Sequence, residues 1–418
     1  MNHRLLFVLI IIPVFYGCWN RERDNPFEPG GLILISFTAT GYDNYVKITW
    51  GDPSVSEPNG FNIYRSESGT SGDFELLTGS IPPGERSYSD FKVVNQKKYS
   101  YYITILGQNT ESKPSKTVSA APGPGFHWVV DYWDYLLTRL TYDCTKATQV
   151  YYTNYTPYQM IVTQEQKGLV LYTNVGMIES FDLESAEMID QSADIRHPYK
   201  ACFDASESCC WVIDSSGVLY RVDLGPLNVT GMPAALGHPT GISINQDSGF
   251  LQVTDPGLRS VLYINRNGII TSRINSVNGT PLSEPLAFAD DPRSRCIWLV
   301  DRNAAGDIIY VRTYDEDDFR EIDSFTGVSD IEAVPGTSTV WILNDGGINS
   351  EAVQLSSSGI RLSTISGFSY PLDIAVNKYD NTLLVANSGV GSVLHYSLEN
   401  MLLGKYSNLN LPVYITTE

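Results

Sequence analysis

"PYKACFDASESCCWVID" (residues 198–214) and "PLAFADDPRSRCIWLVD" (residues 285–301) have the same length and place Pro, Trp and Asp at the same offsets. With the opening Pro as position zero, equivalent segments begin at Pro157, Pro198, Pro239, Pro285, Val328 and Pro371, and a fragment begins at Pro412. The intervals are 41, 41, 46, 43, 43 and 41 residues. Helical repeats and four-stranded propeller blades share such periods, so the pattern inside the repeat must arbitrate. Position twelve holds Leu169, Cys210, Leu251, Ile297, Val340 and Leu383, and position fourteen holds Leu171, Val212, Val253, Leu299, Ile342 and Val385. A period of two marks a strand. Position thirteen reads Val170, Trp211, Gln252, Trp298, Trp341 and Leu384, so the strand is mostly apolar on both faces and must be covered on both, as in a blade between two neighbours.

Position sixteen reads Thr173, Asp214, Asp255, Asp301, Asn344 and Asn387, residues suited to the turn that ends an inner hairpin. "HWVVD" (127–131) matches the second strand of a repeat, with Asp131 at position sixteen, but has no first strand before it. "PVYITTE" (412–418) is a first strand without a second. The simplest account joins the C-terminal strand to the N-terminal blade, which closes a ring of seven blades and removes exposed sheet edges; six is the alternative if one repeat is degenerate.

"PLDIAVNKYDNTLLVANSGVGSVLHYSL" (371–398) resembles NHL-type and related bacterial surface propeller repeats. The resemblance implies the fold of residues 126–418 and little about function, since propellers host many activities.

Upstream, "YVKITW" (45–50), "FNIYRS" (61–66) and "YSYYITIL" (99–106) alternate and are separated by the turn clusters "GDPSVSEPNG" and "IPPGERS", which predicts a small β-sandwich over residues 32–120. Trp50, Tyr64 and "KKYSYYITI" make it similar to a fibronectin type III domain, with Trp50 as core Trp and Tyr99 or Tyr101 at the tyrosine corner; the usual Leu-x-Pro lead into that corner is missing. Residues 121–125 are a Pro/Gly linker. The expected class is all-β: a fibronectin III-like sandwich plus a closed propeller.

The first residues read as targeting. His3 and Arg4 precede "LLFVLIIIPVF", which has the length of a signal h-region, and Gly17-Cys18 resembles the lipobox of bacterial lipoproteins. That resemblance implies a signal peptide at 1–17, acylation of Cys18 and a polar tether at 18–31. Phe15 and Tyr16 are larger than usual there, which leaves a cleaved secretory signal or an uncleaved anchor as alternatives. Trp19, in place of the Asp linked to inner-membrane retention, favours an outer-membrane anchor facing periplasm or medium.

A formal charge of −19, with no basic run, excludes nucleic acid as a natural partner. Cys144, Cys202, Cys209, Cys210 and Cys296 show no CxxC spacing. They read as buried fillers, with a cross-strand bond from Cys202 to Cys209 or Cys210 as the alternative.

Immediately before the strand starts stand Thr156, His197, His238, Glu284, Gly327, Tyr370 and Leu411, on the same face as position sixteen. His197, His238 and Glu284 occupy equivalent places in successive blades. Two imidazoles and a carboxylate suit zinc with an open position, the set expected of a metal-dependent hydrolase or lyase at the channel mouth. The plainer reading is that polar residues before Pro satisfy loop backbone. The Asp/Asn ring has a similar pair of readings, an axial calcium site or Asx turns. "YDEDDFRE" (314–321) reads as a solvated hairpin loop or a loose calcium loop. The aromatics of "DYWDYLL" (131–137) and "VYYTNYTPY" (150–158) read mainly as interblade packing, or as a surface for sugar rings. Without a Gly-rich phosphate loop, a Gly-x-Ser-x-Gly elbow or His-Glu-x-x-His, the expectation is a non-catalytic platform in the cell envelope, membrane-anchored by lipid and binding a protein or glycan.

Overall fold

The computed structural model describes residues 27, 36–53, 58–67, 72–163 and 166–418. The signal run, Cys18 and, apart from Phe27, the tether lie outside the described residues. The chain divides into two compact units, one built on Ile48–Tyr88 and Ser100–Ser119, the other on Ala120–Glu418, with which Thr40–Lys47 and Ser89–Tyr99 group.

Residues 37–120 form two sheets. One orders Phe37–Tyr42, Tyr45–Trp50 and Ser87–Asp90; the other orders Glu75–Ile81, Gly60–Ser66, Tyr99–Leu106 and Val118–Ala120. Alternation decides what is buried: Val46, Ile48 and Trp50 point inward from one sheet and Phe61, Ile63, Tyr101, Ile103 and Ile105 from the other. Trp50 meets Phe61 edge-on at 5.5 Å. Of the two corner tyrosines, Tyr99 has the local bond, its hydroxyl accepting the Val94 N–H at 2.9 Å, while Tyr101 packs in the core.

Residues 126–418 form seven four-stranded antiparallel sheets, the blades, and an extra two-stranded hairpin, Ser276–Val277 with Thr280–Pro281. Blade 1 runs outward from Pro412–Thr417 through His127–Asp131 and Leu136–Leu140 to Ala147–Tyr152, so the chain's last strand is its innermost. Blades 2 to 7 have innermost strands Gln159–Val162, Pro198–Asp204, Gly241–Ile244, Glu284–Asp291, Val328–Val334 and Asp373–Val376, each followed by three more strands. No single sheet closes. The ring closes through seven apolar cores, one between each pair of neighbouring blades, including blades 7 and 1, where Leu384, Ala386 and Val393 meet Val129, Leu140 and Ile415.

The position-thirteen side chain faces the following blade: Trp128, Trp211, Trp298 and Trp341 fill the cores after blades 1, 3, 5 and 6. Blade 2 departs from the repeat. In the other blades the residue at position two pairs with position fifteen, as Lys200 with Ile213 and Asp330 with Leu343, but Gln159 pairs with Leu171, position fourteen. A one-residue slip turns every side chain over. Leu169 and Leu171 therefore face blade 3 and Val170 faces blade 1, opposite to their counterparts.

All five described cysteines are free, and Cys144, Cys209, Cys210 and Cys296 are buried. Cys202 pairs across strands with Trp211, not with either vicinal cysteine, so the filler reading stands over the disulfide.

Candidate binding surface at the ring mouth

Antiparallel pairing puts the start of each innermost strand beside the hairpin joining that blade's second and third strands. Backbone bonds tie the two together: Tyr132 N–H to Leu411 O, Ser215 N–H to His197 O, and Asp345 N–H to Gly327 O. This face is the ring's mouth.

His197, His238 and Glu284 stand here, each exposed, at the starts of blades 3, 4 and 5. The structure does not bring them together. Among the described residues, the trio of metal-capable side chains within 4.8 Å of one another is instead His127, Cys144 and His395. His197, His238 and Glu284 are not among the side chains that the structure gathers within that distance.

The Asp/Asn ring caps loops. Both oxygens of Asp131 accept N–H groups of Asn410 and Leu411, those of Asp255 accept Gly237 and His238, and Asp301 accepts Ser283 and Glu284. Asn387 accepts Ser369, and Asp214 caps its own turn through Ser216 and Val218. Blade 2 differs, since Thr173 donates to the Pro198 carbonyl, and the Asn344 side-chain oxygen has no partner. Three of the seven side chains thus bind the two residues that enter their own blade and a fourth, Asn387, binds one, which spends the three carboxylates on backbone N–H groups.

The chemistry at the axis comes from position two, which the sequence reading passed over. That position holds Gln159, Lys200, Gly241, Ala287, Asp330, Asp373 and Tyr414 around the ring. These side chains stitch neighbouring innermost strands: Gln159 accepts Ala201 N–H at 2.8 Å, Asp330 accepts Ile374 N–H at 3.1 Å, and Asp373 accepts Ile415 N–H at 2.8 Å. The Lys200 ammonium lies 5.6 Å from the Tyr414 ring and 5.9 Å from that of Tyr158. Asp330 hydrogen-bonds Asp373, and both feel Lys200. One alternation further along the strand, two residues past Asp330, Glu332 is exposed yet its carboxyl is surrounded by protein. Burial, and then the Asp330 charge, push its carboxyl up to about 8; burial raises Asp330 as well, and burial with Asp330 raises Asp373 further. One lysine facing three carboxylates keeps protons in the cluster at neutral pH.

Around this belt the mouth hairpins carry exposed apolar side chains: Trp133 and Tyr135 in blade 1, Val175 in blade 2, Leu258 in blade 4, Ile348 in blade 6 and Val390 in blade 7. Tyr155, Tyr370 and Leu372, on the loops entering blades 2 and 7, are exposed as well. The expectation that these aromatic runs mainly pack between blades is thus corrected at Trp133, which is 57% exposed, and at Tyr135, Tyr152 and Tyr155. Trp133, Tyr135 and Tyr155 lie in turns or loops and Tyr152 ends the outermost strand of blade 1, positions that leave them uncovered. In "YDEDDFRE", Asp315 is exposed and pairs with Arg295, and Asp317 and Asp318 are exposed too, as a solvated loop requires.

No protein-family model matches the chain, and no curated protein is similar to it at a significant level. Solved structures resemble it in fold. A functionally unknown protein from Desulfotomaculum acetoxidans superposes with a TM-score of 0.57 at 11% identity, over 70% of this chain and 98% of that one. A protein from Lactobacillus plantarum gives 0.56 at 12%, over 70% and 99%. A candidate 6-phosphogluconolactonase from Bacteroides fragilis gives 0.55 at 12%, over 70% and 98%. Identity this low speaks for the propeller-like fold alone.

Proposed function

We propose that the protein is a non-catalytic binding platform of the cell envelope, which holds a protein or glycan partner on the mouth of its propeller. The observation that carries this reading is the apolar set on equivalent hairpins, Trp133, Tyr135, Leu258, Ile348 and Val390, surrounding a charged axis. Scattered exposed apolar residues are ordinary, but a ring of them at one end of a scaffold, rimmed by polar groups, has the make-up of a recognition surface. Exposed aromatics there suit both protein hot spots and the apolar faces of sugars.

In this reading Cys18 carries lipid, the tether and a fibronectin III-like spacer lift the propeller from an outer membrane, and the repeats are of NHL type. The Tyr99 corner and the three-plus-four strand order support the spacer assignment. The alternative, a metal-dependent hydrolase or lyase using His197, His238 and Glu284, has the dispersal of those side chains against it.

The test is retention of envelope proteins and glycans by the immobilised chain, compared with a Trp133→Ala/Tyr370→Ala variant. A specific partner whose affinity drops about tenfold or more in the variant, without turnover, supports the platform. Equal retention by both, or zinc-dependent turnover lost in His197→Ala, overturns it.

A further inference from the structure

The core between blades 4 and 5 is unlike the others, and the sequence says why. Position thirteen of blade 4 is Gln252, where blades 1, 3, 5 and 6 place a tryptophan against the next blade. The interval from Pro239 to Pro285 is also the longest, 46 residues, and the surplus forms the small hairpin Ser276–Val277/Thr280–Pro281. A missing indole and an added wall leave a cavity of about 890 Å³ on the side of the ring where first and second strands join, away from the mouth.

Its lining has unbalanced hydrogen-bonding capacity. Asp290 is well supplied with donors: it accepts from Asn245 at 2.7 Å, Gln252 at 2.5 Å and the Tyr314 hydroxyl at 2.6 Å. Asp247 and Asp317 also line the space, but both are exposed. Arg312 is the reverse case. It lies over the Phe319 ring at 5.0 Å and beside the Tyr263 hydroxyl, one guanidinium nitrogen reaches the Glu316 carbonyl at 3.3 Å, and its buried Nε–H has no acceptor at all. Arg273, on the outer strand of blade 4, and Arg295 also line the cavity. The Nε–H is closed to solvent, so it is the outer nitrogens of the guanidinium, one of which reaches only a carbonyl at 3.3 Å, that a carboxylate or phosphate in the cavity would answer.

The space is far larger than a lone anion needs and has the size of a small-molecule site. Its other walls include the polar side chains of Asn275, Ser276 and Asn278 and the rings of Phe250 and Tyr314, the latter with Arg295 over it at 5.3 Å. That combination matches the hydroxyls and apolar face of sugar rings.

We propose that the cavity between blades 4 and 5 binds an acidic oligosaccharide, with a sugar carboxylate on Arg312 and its rings against the amide and aromatic wall. This site is separate from the mouth and does not depend on the platform reading. Calorimetric titration of the full chain with tri-galacturonate, maltotriose and inorganic phosphate tests it. The expected result is saturable binding of tri-galacturonate, weakened about tenfold or more in Arg312→Gln and less in Arg312→Lys, and unchanged in Trp133→Ala. Arg273→Gln, on an exposed strand where refolding is not at stake, should weaken it too. An Arg312→Gln variant that keeps the thermal transition of the parent but loses nothing in affinity overturns the site. So does equal binding of neutral maltotriose, no uptake of tri-galacturonate up to about 10 mM, or phosphate binding in its place. Loss of binding in Trp133→Ala would transfer the ligand to the mouth and leave this cavity without one.

Discussion

At the seam between blades 7 and 1, two imidazoles share one carbonyl; at the channel, three carboxylates share one lysine. His127 Nε2 and His395 Nδ1 both donate to the Tyr142 carbonyl, at 2.9 and 2.5 Å, and His395 Nε2 meets the Thr382 hydroxyl at 2.7 Å. The rings lie edge to face, 5.0 Å apart. Burial holds His127 down to about 4, and burial with the neighbouring His127 drives His395 well below the ordinary value, so the seam is a neutral lock. The Tyr142 oxygen sits between the two donors, which is why this trio with Cys144 reads as a junction and not as a metal centre. The belt instead concentrates like charge where seven strands converge. A seam between two blades can exclude water and keep its histidines neutral, whereas the belt relieves its crowded carboxyls by holding protons, since burial raises Glu332, Asp330 and Asp373 alike.

The comparison breaks most sharply at the closing strand. Deleting residues 412–418 strips blade 1 of its innermost strand, uncovers Trp128 and Val129 and removes the Glu418 carboxylate that pairs with Arg139 at 2.6 Å. The loss should exceed about 5 kcal/mol, a large part of an ordinary domain's stability, and abolish a single cooperative thermal transition. An unchanged transition would mean that the seam closes nothing.

His395→Ala comes next. It leaves the Tyr142 carbonyl one donor short and opens a cavity in a buried junction, which should cost about 2–4 kcal/mol by denaturant unfolding at pH 7.5. Its pH signature separates it from a packing defect. Folded-state values of both histidines lie below the unfolded value near 6.5, so the unfolded chain binds more protons between about 6.5 and 4. Stability from the seam is full above that window and falls with pH through it. The variant should lose part of that acid sensitivity.

Glu332→Gln should have the smallest effect and the opposite sign. With its folded value raised to about 8 against about 4.5 unfolded, the native chain binds more protons between those limits, and stability falls as pH rises through them. Water reaches Glu332, so screening trims the effect. The variant should melt higher than the parent at pH 8.5 and match it near pH 4.5 by calorimetry; a matching rise at both would remove the belt's charge as the cause.

Much of this was open to reading along the chain. The Pro-Trp-Asp spacing carries the blade, the Pro412 fragment and "HWVVD" carry the closure, and the 46-residue interval with Gln252 marks the unusual interface. The belt was also present, at a constant offset of two, but Gln, Lys, Gly, Ala, Asp, Asp and Tyr share no chemistry that would flag the column. His197, His238 and Glu284 misled for the converse reason: like residues at like positions suggest convergence, yet equivalence in a ring means the same radius, not contact. Blade 2 shows the limit of counting offsets, since one residue of slip reverses Leu169, Val170 and Leu171.

The order of residues alone determined which segments become strands, how many blades they make and which end completes the first, because alternation and period are local properties of a chain that must cover apolar faces. Only tertiary structure decided which side chains meet: His127 with His395, Lys200 with Asp373, Arg312 with Tyr263. Those contacts join residues tens to hundreds of positions apart, and their protonation and unmet hydrogen bonds depend on burial that exists only once the blades have closed around them.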